Sequence, residues 1–114
     1  MTTPLFQHAE LAAGRWFTMT IAEQLGNIGS DYERALRWKE KGEEKMFTSA
    51  FNRTLELIDL TLNDPRLTME RKREIARMRD EVRRELLDKE QNSTSSQGLK
   101  RYFLNMALLA RDAK

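Results

Sequence analysis

Cysteine is absent from this 114-residue chain, and histidine occurs only once, as His8. Without cysteine the chain has no disulfide, no thiolate metal ligand and no cysteine nucleophile. One histidine is too few for the paired Glu-x-x-His motifs of di-metal bundles or for Cys/His zinc sites, and a serine nucleophile lacks a credible base. The residue inventory therefore predicts no catalytic residue, no metal site, no cofactor and no enzymatic activity.

Long apolar runs are also missing. No stretch approaches the ~18 residues of a membrane span, and the N-terminus lacks the basic start and apolar core of a secretory signal. The chain carries 20 basic and 18 acidic residues, for a formal net charge of +2. We therefore expect a cytoplasmic protein that does not contact a membrane.

Only two prolines interrupt the chain, at positions 4 and 65, and 33% of the residues are charged. Apolar residues recur at alternating steps of three and four, as on one face of a helix, and no segment alternates with period two. Gly42 follows a basic turn and predicts a helix C-terminus, and Thr68 predicts an N-cap. The pattern indicates an all-α, antiparallel four-helix bundle, with helices at about 15–41, 43–63, 68–90 and 96–112.

The rest of the chain is assigned to irregular segments. Residues 1–14 are predicted to form a loosely ordered N-terminal segment, so the bundle domain covers 15–114. The stretch EQNSTSSQG, at 90–98, is rich in turn-forming residues and predicts a flexible connector before the last helix.

Two glycines lie within the first predicted helix, in EQLGNIGSDYERALRW at 23–38. Each costs about 0.8–1 kcal/mol relative to alanine in a helix interior. The apolar stripe keeps its phase across Gly26 and Gly29, which favours a continuous helix whose glycines let another helix approach, within the bundle or across a dimer axis. The alternative is a break around Asn27–Ser30 that divides the helix into two.

Arg53 interrupts an apolar row of the second helix. An arginine buried there requires a partner, because an unpaired buried charge costs several kcal/mol. Glu23, Asp31 and Glu56 are the candidate partners, and we expect a mostly buried ion pair that sets the helix register. An anion-binding arginine is the functional alternative.

Three aromatic residues lie near the ends of the first helix: Trp16, Phe17 and Trp38. Trp16 and Phe17 are adjacent and cannot both face one core, and tryptophans are common anchors of protein interfaces. Partner anchoring and simple packing at the rim of the bundle are equally compatible with the sequence.

Charge is dense but mixed in the third helix, where residues 66–90 hold nine basic and seven acidic side chains. Many of them are three or four positions apart, as in a solvated face stabilised by ion pairs. Nucleic-acid binding would require the basic residues to lie together on one side. Carboxylate pairs such as Glu23 with Asp31, or Glu56 with Asp59, are expected to be surface or interhelical groups rather than acid–base catalysts.

Three runs of sequence carry a family resemblance: RWFTMTIAEQLGNIGSDYERALRWKEKG, AFNRTLELIDLTLNDPR and REIARMRDEV. Over about residues 15–87 they resemble a small prokaryotic family of helical-bundle proteins, with a softer match at RYFLNMALLAR. No activity is assigned to that family, so the resemblance implies the fold alone. It also implies that NIGS, the Arg53 row and NDPR belong to the family pattern.

The bundle is also similar in architecture to HEPN proteins, which partner nucleotidyltransferases or act as RNases. Their catalytic signature is an arginine followed within a few residues by histidine, and no histidine follows an arginine here. We expect a non-catalytic cytoplasmic interaction protein that forms a homodimer or binds a protein partner. The alternative is an RNA- or nucleotide-binding accessory subunit, such as an inactive HEPN-like partner of a nucleotidyltransferase.

Overall fold

Four α-helices follow a short 3-10 helix in the computed structural model, which describes residues 14–88 and 93–112. The 3-10 helix spans Arg15–Thr18, and the α-helices are α1 (Ile21–Lys41), α2 (Glu44–Leu62), α3 (Met69–Leu87) and α4 (Ser93–Asp112). These two described ranges contain no β-strand. The predicted all-α four-helix bundle is confirmed. Residues 1–13, most of the segment predicted to be loosely ordered, lie outside the described residues.

α1 begins at Ile21, so the predicted start at residue 15 is wrong. Thr20 forms a capping box: its hydroxyl accepts a hydrogen bond from the backbone N–H of Glu23 (3.0 Å), and its own N–H donates to the Glu23 carboxylate (2.9 Å). The pattern Thr-x-x-Glu is a known helix-start signal. Residues 15–18 form the separate 3-10 helix, which ends before this cap.

The other helix ends agree with the predictions to different degrees. Gly42 terminates α1 in the left-handed conformation, at φ 71°, and Thr68 caps α3 by accepting a hydrogen bond from the N–H of Arg71, as predicted. α4 begins at Ser93, three residues before its predicted start, so residues 93–98 are helical and are not the predicted flexible connector. Residues 89–92 of that stretch lie outside the described part of the chain.

Successive helices run antiparallel, with α1 at the centre of the bundle. Asp31 of α1 pairs with Arg53 of α2, and Glu74 of α3 accepts a hydrogen bond from Tyr102 of α4. α1 contacts all three other helices, most extensively α2 and α4. Its apolar stripe is fully buried and forms the middle of the core: Leu25, Ile28, Tyr32, Ala35 and Leu36.

The glycines of α1 lie where α4 crosses it. α1 is continuous through both, and neither glycine has a positive φ. A Cβ on Gly26 would lie 3.3 Å from the Cα of Ala107, and one on Gly29 would lie 2.7 Å from Cγ of Phe103 and closer still to its Cβ. The close-approach hypothesis is thus confirmed, the break is excluded, and the neighbouring helix is within the same chain.

Replacing Gly29 with alanine should lower the free energy of unfolding. Helix propensity would gain up to about 1 kcal/mol, but the methyl group would meet the Cβ end of Phe103, and such overpacking costs about 1–3 kcal/mol. Urea unfolding measures the difference. Gly98→Ala is the matched control, because Gly98 is an exposed helical glycine with no atom within 4 Å of the added methyl group, so that variant should be stabilised. Stabilisation by Gly29→Ala would contradict the close-packing account.

Candidate functional site

Trp16 lies in the core, so of the two interpretations left open by the sequence, packing within the bundle applies to this residue and partner anchoring does not. Only 2% of the residue is exposed, and its indole Nε1 donates a hydrogen bond to the Thr61 hydroxyl at 3.1 Å. The 3-10 helix places the ring against the end of α2. Phe17 and Trp38 are partly buried against the core, and Lys41 Nζ lies 5.3 Å from the Trp38 ring centroid, within cation–π range. Neither ring is fully available to a partner.

A polar network closes the same end of the bundle; we call Trp16, Gln24, Asp64 and Arg66 the end cluster. The first three are buried, and Arg66 covers them from the surface. The Gln24 amide donates to the Trp16 carbonyl oxygen (3.1 Å) and to the Asp64 carboxylate (3.0 Å). Arg66 donates to both carboxylate oxygens of Asp64 and to the Met19 carbonyl oxygen. The cluster thereby fixes the 3-10 helix to the α2–α3 turn.

The charge of Asp64 depends on these neighbours. Hydrogen bonds from Arg66 hold the pKa of the Asp64 carboxyl well below its usual range, although burial acts in the opposite direction. In the unfolded chain the Asp64 carboxyl has an ordinary pKa of about 3.9. Below about pH 3.9 the unfolded chain therefore binds a proton at Asp64 that the folded chain does not. Stability supplied by this carboxylate is therefore complete above that pH and is lost as the pH falls towards the folded-state pKa.

We expect Asp64→Asn to be less stable than the wild type at pH 7, with a deficit that shrinks below about pH 4. The change should reach at most about 1.4 kcal/mol per pH unit, the slope for one proton. Unfolding in urea at a series of pH values from 2 to 7 measures it. Asp80→Asn is the control, because Asp80 is exposed and has no ion pair within the described residues. A deficit independent of pH would contradict this role for Asp64.

Arg53 pairs with an acidic residue of α1, as predicted, and its side chain is partly buried, with a buried Nε. Its Nε lies 3.4 Å from Oδ1 of Asp31, and 43% of the side chain is exposed. Asp31 itself is buried and also accepts a hydrogen bond from Arg34 at 2.9 Å. Because the guanidinium groups of Arg53 and Arg34 both reach solvent, their ion pairs with Asp31 add less to the free energy of unfolding than a fully buried ion pair would. Asp31 occupies the position that an external anion would take between the two arginines.

The carboxylates singled out for acid–base chemistry are held by structural partners. Glu23 belongs to the Thr20 capping box, and Asp59 accepts two hydrogen bonds from Arg79 of α3 (2.7 and 3.3 Å). Within the described ranges, no group of three His, Cys, Asp or Glu side chains is arranged to hold a metal ion. The remaining candidate binding features lie on the exposed surfaces of α3 and α4.

Folding separates the charges of α3 that are mixed in the sequence. Glu74 and Glu85 turn towards the bundle: Glu74 pairs with Arg71 (3.7 Å) and accepts from Tyr102 (3.1 Å), and Glu85 is buried. Burial, with the nearby Glu74 charge adding, raises the pKa of Tyr102 to about 12, so this hydroxyl stays a donor. Four arginines remain exposed on α3 and form what we call the α3 arginine surface: Arg73, Arg77, Arg83 and Arg84.

These four arginines have no carboxylate within 4.0 Å among the described residues. Asp80 and Glu70 are exposed on the same side of α3 and lower its net charge. Helical spacing in the sequence already places Arg73, Arg77 and Arg84 near one side, diluted by Glu70, Asp80 and Glu81, but it cannot show that Glu74 and Glu85 face other helices.

A second surface lies on α4, where three leucines face solvent. Leu104 is 58% exposed, Leu108 43% and Leu109 56%. Lys100 and Arg101 lie one helical turn before Leu104, and Arg111 lies one turn after Leu108. We call this set the α4 outer surface: Lys100, Arg101, Leu104, Leu108, Leu109 and Arg111.

A groove of about 220 Å³ runs beside Leu104, along the crossing of α1 and α4. Gly26, Gly29 and Ala107 contribute to its lining, and Glu33 and Lys100 also border it. The small residues that allow close packing also leave this depression next to the exposed leucines. Sequence reasoning predicted the close approach but missed the surface. The adjacent pair Leu108–Leu109 was the available signal, since neighbouring helical residues cannot both face one core.

Within the described residues, no helix combines the length and the apolar character needed to span a membrane. Comparison of the chain with protein-family models, with curated proteins and with solved structures gave no match.

Proposed function

We propose that this chain is a non-catalytic interaction protein of the cytoplasm that binds a protein partner through the α4 outer surface. The observation that carries the proposal is the group of three exposed leucines within six positions of one helix, beside the groove along the α1–α4 crossing. Leu104 and Leu108, four positions apart, share one side of α4, whereas Leu109 faces about 100° away from Leu108. Single exposed leucines are common on protein surfaces, but a neighbouring apolar pair beside a groove, with a polar margin, is typical of an interaction site.

The energetics favour covering this surface. Full burial of a leucine side chain stabilises by about 1.5–3 kcal/mol, so three half-exposed leucines offer a partner several kcal/mol before the costs of association. No folding role competes for these side chains, because Leu99 and Phe103 on the opposite side of α4 already anchor the helix to the core.

Site-specific photo-crosslinking in the source cells tests the proposal. A photoreactive side chain at position 108 should give a discrete protein adduct, which Leu104→Glu should reduce at least tenfold. The same group at position 49 is the control, because Ser49 is exposed on α2, away from the leucines. An adduct of twice the chain mass would identify self-association as the form of the interaction. No adduct from position 108 or 104 would contradict the proposal.

The α3 arginine surface supports a second candidate, an RNA-binding accessory subunit. Four exposed arginines without a carboxylate within 4.0 Å in the described ranges are free to contact phosphates. Arg53 supports this candidate less, because the Asp31 carboxylate lies 3.4 Å from its Nε and lowers the positive potential there. Two acidic residues on the same side of α3 weaken the field, so protein binding through α4 remains the first proposal.

Salt dependence of RNA affinity tests the second candidate. Anisotropy of a labelled single-stranded RNA should give a linear fall of log K with log salt concentration. Arg73→Gln/Arg77→Gln/Arg84→Gln should reduce the slope by about 2, at roughly 0.7 for each phosphate that the variant no longer neutralises. Lys45→Gln, at an exposed site on α2, is the control and should leave the slope unchanged. Failure of the wild-type chain to bind at low salt removes this candidate.

A further inference from the structure

We infer that the α4 outer surface binds an amphipathic helix whose apolar stripe is bordered by glutamate or aspartate, presented by a second protein. The inference rests on the proposed function and specifies its partner. Three features of the surface carry it: the charge around the leucines, the groove beside them and the size of the patch.

Positive charge brackets the leucines at both ends. Lys100 and Arg101 precede Leu104 by about one turn, and Arg111 follows Leu108 by about one turn; all three side chains are exposed. None of the three forms an ion pair within 4.0 Å in the described part of the chain, where Asp112 is the one acidic side chain of α4. Complementary charge on a partner would guide docking and reject basic partners.

The leucines have the spacing that a helix uses to pack against another helix. Leu104 and Leu108 are four residues apart and form a ridge. A depression runs along one side of that ridge. Its floor of Gly26, Gly29 and Ala107 offers a place for an apolar side chain of the partner, and Glu33 and Lys100 border it with opposite charges. Helical peptides in general dock on their targets with anchors at positions i, i+3 or i+4, and i+7.

The size of the patch suits a single helix better than a second copy of the chain. The exposed side of α4 from position 97 to 112 is about 24 Å long and about 10 Å wide, the width of one helix. A standard stable interface needs about 800 Å² from each partner, which exceeds this strip. Two copies paired through α4 would also bring their basic residues together. A partner helix with acidic margins avoids this repulsion and matches the strip in width, and the small area implies a weak or transient complex.

A displayed library of helical peptides tests the inference. Leucine is fixed at the a and d positions, and each flanking position is either glutamate or lysine. Selection on the full chain should enrich glutamate over lysine at least tenfold at the flanks. Selected peptides should bind the Leu104→Glu/Leu108→Glu variant at least tenfold more weakly. Met69→Glu is the control, because Met69 is 66% exposed on α3, and this variant should bind like the wild type.

Charge reversal supplies the second measurement. The variant Lys100→Glu/Arg101→Glu/Arg111→Glu changes only exposed side chains, and selection on it should enrich lysine at the flanks instead. A selection without charge preference on the wild type would overturn the inference. So would the absence of any binding peptide while position 108 still forms a protein adduct, an outcome that leaves the proposed function intact. Loss of both the peptides and the adduct would overturn both.

Two other possible occupants of the α4 outer surface, a segment of the same chain and an anionic lipid surface, would each give a different experimental result. If part of the same chain covered the leucines, Leu104→Glu/Leu108→Glu would lower the thermal midpoint of the full chain well below that of Met69→Glu. If an anionic lipid surface were the true partner, vesicles of phosphatidylglycerol would bind the wild type and not this variant, and no peptide would be selected. Either result would overturn the inference.

Discussion

The close crossing of α1 and α4 is the constraint on which the rest of the structure depends. α1 forms the two most extensive helix interfaces of the bundle, with α2 and with α4, so it must approach α4 without losing its contacts with α2. Gly29 meets this requirement, since the Phe103 side chain lies where a Cβ would stand. The crossing also fixes the rotation of α4: Leu99 and Phe103 face the core, and Leu104 and Leu108 face away from it.

At one end of the bundle, hydrogen bonds between polar residues fix the connections between the helices. The end cluster joins the 3-10 helix, α1 and the α2–α3 turn through hydrogen bonds to a buried carboxylate. Such a network is directional, so it specifies one arrangement of the connections where apolar contacts alone would tolerate several. At the other end, Lys39 of α1 donates to the carbonyl oxygens of Glu85 and Asp88, which closes the C-terminus of α3.

Much of the fold could be predicted from the sequence, because helical periodicity and caps are local properties. The unbroken phase of the α1 stripe located the glycines on a packing face, and Gly42 and Thr68 marked helix ends. Trp16 was harder to place, because its burial depends on Thr61, forty-five positions away. For α3, helical spacing groups Arg73, Arg77 and Arg84 near one side, but the burial of Glu85 and the contact of Glu74 with Tyr102 depend on residues of other helices. The adjacent pair Leu108–Leu109 signals in the sequence that an apolar residue of α4 is exposed, but the rotation of α4 about α1 decides which leucines face solvent.

The position of α4 in the bundle has a consequence for cooperativity. α4 lies mainly on α1 and touches α3 less extensively, whereas α1, α2 and α3 are connected among themselves by the remaining core contacts. Opening of α4 alone would break fewer core contacts than global unfolding, so this partly open state would cost less free energy to form. A ligand of the α4 outer surface that recognises the docked helix depletes this state by mass action. Occupancy of the surface is thus linked to the local stability of the helix that displays it.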